Sequence, residues 1–235
     1  QLDQLDFAWA MAIAGMLGLG LFFKVEAGMK NPMLDAVYLW RNKTFTMSNI
    51  ATLINYAASF GVVFLFTLYL QYIKGMSAQQ AGFFLMIQPS TQAVFSPLAG
   101  RWADRVSPFK LATLGMAICG VGLVGATFID SQTPLFMIIL IMVMLGIGFG
   151  VFSSPNMTAI MGSVPSQRYG MASSMVATMR TVGMLVSMTI ITIILTLYLG
   201  DRSVSERTSL EFLKSLHISM LCLSLMSFFG VFLSM

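Results

Sequence analysis

Residues 134–161 read PLFMIILIMVMLGIGFGVFSSPNMTAIM, without one charged side chain. A helix needs about 20 mostly apolar residues to cross the hydrocarbon core of a bilayer, and this stretch exceeds that length. Six more runs of the same kind flank it: Phe7–Phe23, Asn49–Tyr72, Ala81–Trp102, Leu111–Ile129, Met171–Leu199 and Leu216–Met235. None alternates with period two, so a β-barrel is excluded. Each run is long enough to satisfy its backbone internally as a helix. The sequence therefore predicts an all-α membrane protein with seven transmembrane helices.

Composition agrees. Of 235 residues, 57% are hydrophobic and 9% charged, against about 25% charged in soluble domains. Mean hydropathy is +0.83. The 13 basic residues sit mostly in short loops between apolar runs, which is not a nucleic-acid footprint. Cys119 and Cys222 both lie inside apolar runs and read as small apolar side chains rather than as a disulfide or zinc site. The chain opens on Gln1 with a polar stretch to Asp6 and reads as a piece of a longer protein.

Loop charge sets the expected orientation. Lys24, Lys30, Arg41, Lys43, Arg101, Arg105, Lys110 and Arg168 fall in one set of loops, expected to be cytoplasmic. Lys74, Arg202, Arg207 and Lys214 fall in the other. Arg180 alone lies inside a run. In the first long loop, Asn31-Pro32 has the form of an N-cap and first helical turn, followed by Met33, Leu34, Val37, Tyr38 and Trp40 at helical spacing. Either a short amphipathic helix on the inner membrane surface or an anchored irregular loop fits that pattern.

Pro97-Leu-Ala-Gly100-Arg-Trp-Ala-Asp104-Arg105 closes the third run. Small residues there let helices approach. Asp104 suits the N-terminus of a neighbouring helix, with Arg105 as its partner or as a headgroup contact. The cluster reads either as a latch between helix arrangements or as a polar helix end. It resembles the G-x-x-x-D-R-x-G-[RK]-[RK] loop motif of the major facilitator superfamily: Gly100, Asp104 and Arg105 match, while Ser107 and Pro108 depart. Gly146-Ile-Gly148-Phe-Gly150 through Ser153-Ser-Pro155-Asn156, then Val164-Pro-Ser-Gln-Arg168-Tyr-Gly170-Met-Ala-Ser173 to Arg180 and Gly183, is similar to the 14-helix drug:proton antiporters of that superfamily. So is the upstream pattern of Glu26, Pro32, Leu34, Arg41 and Phe45.

The resemblance covers nearly the whole chain. It implies that residues 1–46 are a linker transmembrane helix plus a cytoplasmic amphipathic loop. Residues 47–235 would be the six-helix C-terminal domain of a major facilitator fold, made of two inverted three-helix repeats. It further implies a multi-pass protein of the plasma membrane that rocks against a missing N-terminal half. That machine exchanges a small amphipathic substrate for protons by alternating access. Specific metabolite export, a channel and a non-transporting membrane interaction module are the rivals.

The polar residues inside the runs are the candidate site. Arg180 lies deep in its helix and shares a face with Ser173, Ala177, Met184 and Ser187. A cation at such depth costs at least ~2.5 kcal/mol unless it meets protein or water. Contact with an anionic substrate, a lock onto carbonyls and snorkelling to the surface are the three readings. Gln88 and Gln92 stand one turn apart beside Pro89, where a kink is expected. Asn55 and Asn156 complete the set, as cavity lining or as interhelical hydrogen bonds. Met171, Met175 and Met179 read as flexible packing rather than a copper(I) site, and His217, the only histidine, stands at a helix start. No Asp or Glu lies within the seven runs, so a coupling acid is expected in the other half. No nucleophile–base pair, metal cluster or phosphate loop is visible, so the reading is not an enzyme and needs no cofactor.

Overall fold

The computed structural model describes residues 42–200 and 208–234, together with 11, 14–18, 20–21 and 24–25. The described residues between 11 and 25 are all helical. The expected amphipathic segment, with Glu26, Pro32, Leu34 and Arg41, lies outside the described residues. Residues 43–235 form one compact unit. It is built of α1 (Lys43–Leu68), α2 (Ala78–Leu85), α3 (Ile87–Ala103), α4 (Pro108–Ala126), α5 (Leu135–Gly162), α6 (Tyr169–Leu199) and α7 (Ser209–Ser234). There is no strand among the described residues. Five of these helical stretches are long and apolar enough to span a bilayer: Lys43–Ile73, Pro108–Ala126, Leu135–Gly162, Ser166–Leu199 and Ser209–Phe232. The chain is an all-α, multi-pass membrane protein.

The expected third span is divided. α2 stops at Leu85 and α3 resumes at Ile87. Pro89 lacks the N–H that would reach the carbonyl of Leu85, and its ring crowds that carbonyl, so the break falls one turn before the proline. Pro97 and Pro155, in contrast, sit within α3 and α5, each of which runs on through its proline.

Two helices begin well before their apolar runs, by six and seven residues. α1 starts at Lys43 instead of Asn49, and α7 at Ser209 instead of Leu216. The second extension corrects the absence of acids from the spans, because Glu211 now lies in the first turn of α7. Its place there suits the positive end of the helix dipole.

The helices interleave. α3 and α4 both pack on α5, α6 and α7 both pack on α1, α1 touches α5, and α4 touches α7. Exchanging α1 with α5, α2–α3 with α6, and α4 with α7 maps these neighbours onto themselves. The helices thus divide into two triplets with matching contacts, α1, α2–α3 and α4 in one and α5, α6 and α7 in the other. The principal core joins Leu65 and Phe66 of α1 and Leu70 just beyond it with Leu123, Met142, Leu145, Leu216 and Met220.

Glycine permits the closest approaches. A Cβ on Gly148 would lie 2.8 Å from the Cys119 backbone nitrogen and 2.9 Å from the Gly115 carbonyl, so α4 and α5 touch backbone to backbone. Gly146 and Gly150 point the other way, where a Cβ would lie 2.6 Å from the Gln88 carbonyl and 3.1 Å from Phe95 Cβ. Gly146 and Gly150 therefore seat α3. Without a hydrophobic drive between helices in lipid, such contact is a main source of association.

At one end, α1 continues as a π-helical turn, Tyr69–Ile73. Lys74 Nζ donates to the carbonyls of Ser131 and Thr133, each at 2.7 Å, and the Tyr69 hydroxyl donates to the Asp130 carbonyl at 2.7 Å. His217 Nε2 lies 2.6 Å from the Ile129 carbonyl. Tyr69 and Lys74 thus tie the end of α1 to the 130–133 turn, and His217 of α7 meets the residue just before it. Lys74→Met is expected to loosen that turn by about 1 kcal/mol per lost bond, read as faster amide exchange at 130–133 with α5 unaffected. Unchanged exchange there would refute the tie.

Candidate functional site

Polar side chains in an apolar helix need partners or water. α1, α2–α3, α5 and α6 together line two adjoining cavities; α4 and α7 contribute no lining residue to either. The larger has a volume of about 240 Å³ and is walled by Tyr56, Phe60, Phe149, Pro89 and Met184, with Gln88 and Gln92 as its amides. The smaller, of about 10 Å³, is bounded by Thr52, Tyr56, Ser153, Asn156, Val176 and Arg180. Tyr56 borders both.

Tyr56 was not evident as a site residue from the sequence. Its ring meets Phe149 edge to face, centroids 5.0 Å apart at 79°. The Arg180 guanidinium carbon sits 5.0 Å from the Tyr56 ring centroid, and Ser153 lines the smaller cavity beside Tyr56. In the structure the Arg180 cation stacks on an aromatic face between helices, and its Nε has no hydrogen-bond partner. The signal available in the sequence was an aromatic with a polar tip, midway along a span.

Asn156 takes the interhelical reading while also bordering the smaller cavity. Its amide donates to Thr52 Oγ1 at 2.8 Å and to the Ser48 carbonyl at 3.2 Å, and Thr52 Oγ1 donates in turn to the Ser48 carbonyl at 2.9 Å. These bonds join α5 to α1. Asn156→Leu is expected to destabilise the protein by about 0.6–1.7 kcal/mol, measured by thermal unfolding in detergent. The double variant with Thr52→Val should then cost little more than Asn156→Leu alone, because one bond serves both; additive losses would contradict it.

Asn55 is placed elsewhere. Its side chain is fully buried, lines neither cavity, and finds no hydrogen-bond partner. It stands one residue from Tyr56, and a helix turns about 100° per residue, so neighbours face different partners.

The face proposed around Arg180 also divides. Ser187 is fully buried and Met184 lines the larger cavity, whereas Ser173 and Ala177 are exposed. Around them Ser174, Thr178 and Thr181 are exposed as well, each returning its hydroxyl proton to its own helix, to Gly170, Ser174 and Ala177 carbonyls. α6 buries 28% of its most apolar stretch, half the 56% that α1 and α5 bury.

At the end of α3, Gly100 is a contact point: a Cβ there would lie 2.9 Å from Ser154 Oγ of α5. Asp104 and Arg105 are both exposed, and neither forms an ion pair among the described residues. No latch contact of Asp104 or Arg105 is therefore formed among the described residues. No group of three or more His, Cys, Asp or Glu able to hold a metal occurs among the described residues.

Comparison with known proteins follows the same line. The riboflavin transporter RibZ of Clostridioides difficile is 32% identical over 142 residues, 60% of this chain and 31% of RibZ. The multidrug efflux pump LfrA of Mycolicibacterium smegmatis is 30% identical over 189 residues, 78% of this chain and 36% of LfrA. The multidrug resistance protein Stp of Mycobacterium tuberculosis is 26% identical over 196 residues, 82% of this chain and 35% of Stp. The chain thus spans about a third of the length of the curated relatives it matches. The family model of the Major Facilitator Superfamily matches residues 48–234, from the first turns of α1 to the end of α7. With that match running through every helix of the compact unit, this chain belongs to the Major Facilitator Superfamily of membrane transporters.

Proposed function

We propose that this chain is the C-terminal portion of a proton-coupled exporter of small amphipathic molecules, working by alternating access in the plasma membrane. Residues 1–46 serve as the linker and residues 47–235 as the moving domain. The observation that carries the reading is the one-sided placement of the cavities. Four helices present Tyr56, Gln88, Gln92, Asn156 and Arg180 on one side, while α4 and α7 contribute nothing there. A second domain docked over that face closes a binding site between the halves, where such transporters hold substrate near the midplane. The small, self-satisfied hydroxyls on α6 suit protein or water as neighbour better than acyl chains.

No carboxylate lines either cavity, so the proton-coupling acid belongs to the docking half. Gly100 fixes α3 against α5, and Asp104 and Arg105 are the gate residues, pairing with the moving half in the state where the cavity is shut. The multidrug names of LfrA and Stp support a broad substrate range.

The test uses the full-length protein in proteoliposomes with an imposed pH gradient. Hoechst 33342 and Nile red should move against their gradients only when the proton gradient is present. Absence of gradient-driven flux for these probes and for riboflavin would indicate a non-transporting membrane module instead. Flux that follows the solute gradient alone would indicate a channel. RibZ favours a second reading, export of one flat metabolite; riboflavin flux uninhibited by either dye would select it.

A further inference from the structure

Gln88 is 6% exposed, and its side-chain amide makes no hydrogen bond among the described residues. Burying an amide without a partner is unfavourable by roughly 1–3 kcal/mol. Yet this amide borders open space, the cavity of about 240 Å³. Gln92, one turn further along α3, is half-buried on the same cavity and equally unpartnered. The opposite walls are aromatic: Phe60, Tyr56 and Phe149, the last two edge to face. No lining residue of this cavity is charged, and the adjacent charge is Arg180, positive, beyond the Tyr56 ring.

We propose that this cavity binds an uncharged, planar ring system bearing a lactam or imide edge, and that Gln88 is the residue that reads that edge. A primary amide and a lactam are complementary: glutamine Nε2 donates to the ring carbonyl while Oε1 accepts the ring N–H. The same two-bond pairing lets glutamine read an adenine edge. Gln92 Nε2 can donate to an imide's second carbonyl. The rings lie against the aromatic wall, where face and edge contacts add to burial. Arg180, with no acid lining either cavity, works against a cationic ring. The volume falls below the ~300–1,000 Å³ of complete small-molecule sites, so the cavity takes the ring and the docking half meets the rest of the molecule. This assignment of substrate class rests on the transport reading above.

The experiment titrates detergent-purified full-length protein with 1,8-naphthalimide and with N-methyl-1,8-naphthalimide, read by their fluorescence. The pair differs in the imide N–H alone. Wild type should bind the unmethylated probe about tenfold more tightly, the effect of losing the N–H hydrogen bond and leaving Gln88 Oε1 unpaired at a buried site. Gln88→Leu should erase that preference while leaving the methylated probe within about twofold of wild type. Should Gln88→Leu not fold, Gln88→Met carries the same comparison, and the wild-type preference needs no variant. Equal affinities, no binding of either probe, or a preference that survives loss of the Gln88 amide would each overturn the proposal. The titration uses no proton gradient, so its failure is distinct from a failure of the flux experiment.

Discussion

Gly115→Val should leave little folded protein. A Cβ at Gly115 would lie 2.7 Å from the Gly148 carbonyl and closer still to the Phe152 backbone nitrogen. Backbone cannot rotate aside as a side chain does. α4 must therefore move away from α5, and contacts along both helices open. Overpacking of this kind costs about 3 kcal/mol or more when the neighbour is rigid. That is a large share of the roughly 5–15 kcal/mol by which proteins are stable. Gly120→Ala is the control. Its Cβ would meet the Phe228 ring at 3.2 Å, and that ring is partly free to shift, so an effect below about 1 kcal/mol is expected. The measurement is the unfolding temperature in detergent beside the yield of monodisperse protein. A Gly115→Val protein that unfolds with wild type would show that α4 and α5 do not approach as described.

The second large effect concerns Arg180. Removing its stack on Tyr56, 5.0 Å from the ring, forfeits about 2 kcal/mol at a desolvated position, or roughly thirtyfold in any equilibrium that depends on it. Arg180→Ala is expected to reduce gradient-driven transport by about that factor with folded yield maintained. Tyr56→Phe keeps the ring and should retain most activity, whereas Tyr56→Leu should resemble Arg180→Ala. The double variant Arg180→Ala with Tyr56→Leu should be hardly worse than either alone, because the two act as one unit. Full transport by Arg180→Ala would remove Arg180 from the machinery.

The fold was legible because lipid leaves few choices. Long apolar runs without charge can only be helices, and each expected run after the first coincides with a helical stretch among the described residues. The boundaries were less legible where polar residues continue a helix past its apolar core. Ser48 lies before the expected run, yet it is buried in α1. Glu211 and Lys214 likewise gave no hint that α7 includes them. Pro89 announced a break but not its position, which follows from the carbonyl four residues earlier.

The candidate site was legible in its chemistry and not in its pairings. Gln88, Gln92, Asn156 and Arg180 stood out as polar groups in apolar surroundings, and all four border the cavities. Asn55 stood out equally and is packed away from them. Tyr56 passed unnoticed because its importance lies in touching α5 and α6 at once. That relation depends on three helices meeting, and periodicity along one helix carries no trace of it.

The interleaving of the two triplets has a consequence for biogenesis. When a ribosome has delivered α1 to α4, the seats of α1 and α3 lie on segments not yet made, α6 and α5. Early helices must wait in the bilayer as separate rods, shielded by lipid or by insertion machinery, until α5 emerges. Truncation between α4 and α5 should therefore yield a product that inserts but is rapidly degraded, and co-expressing the remainder as a second polypeptide should rescue it.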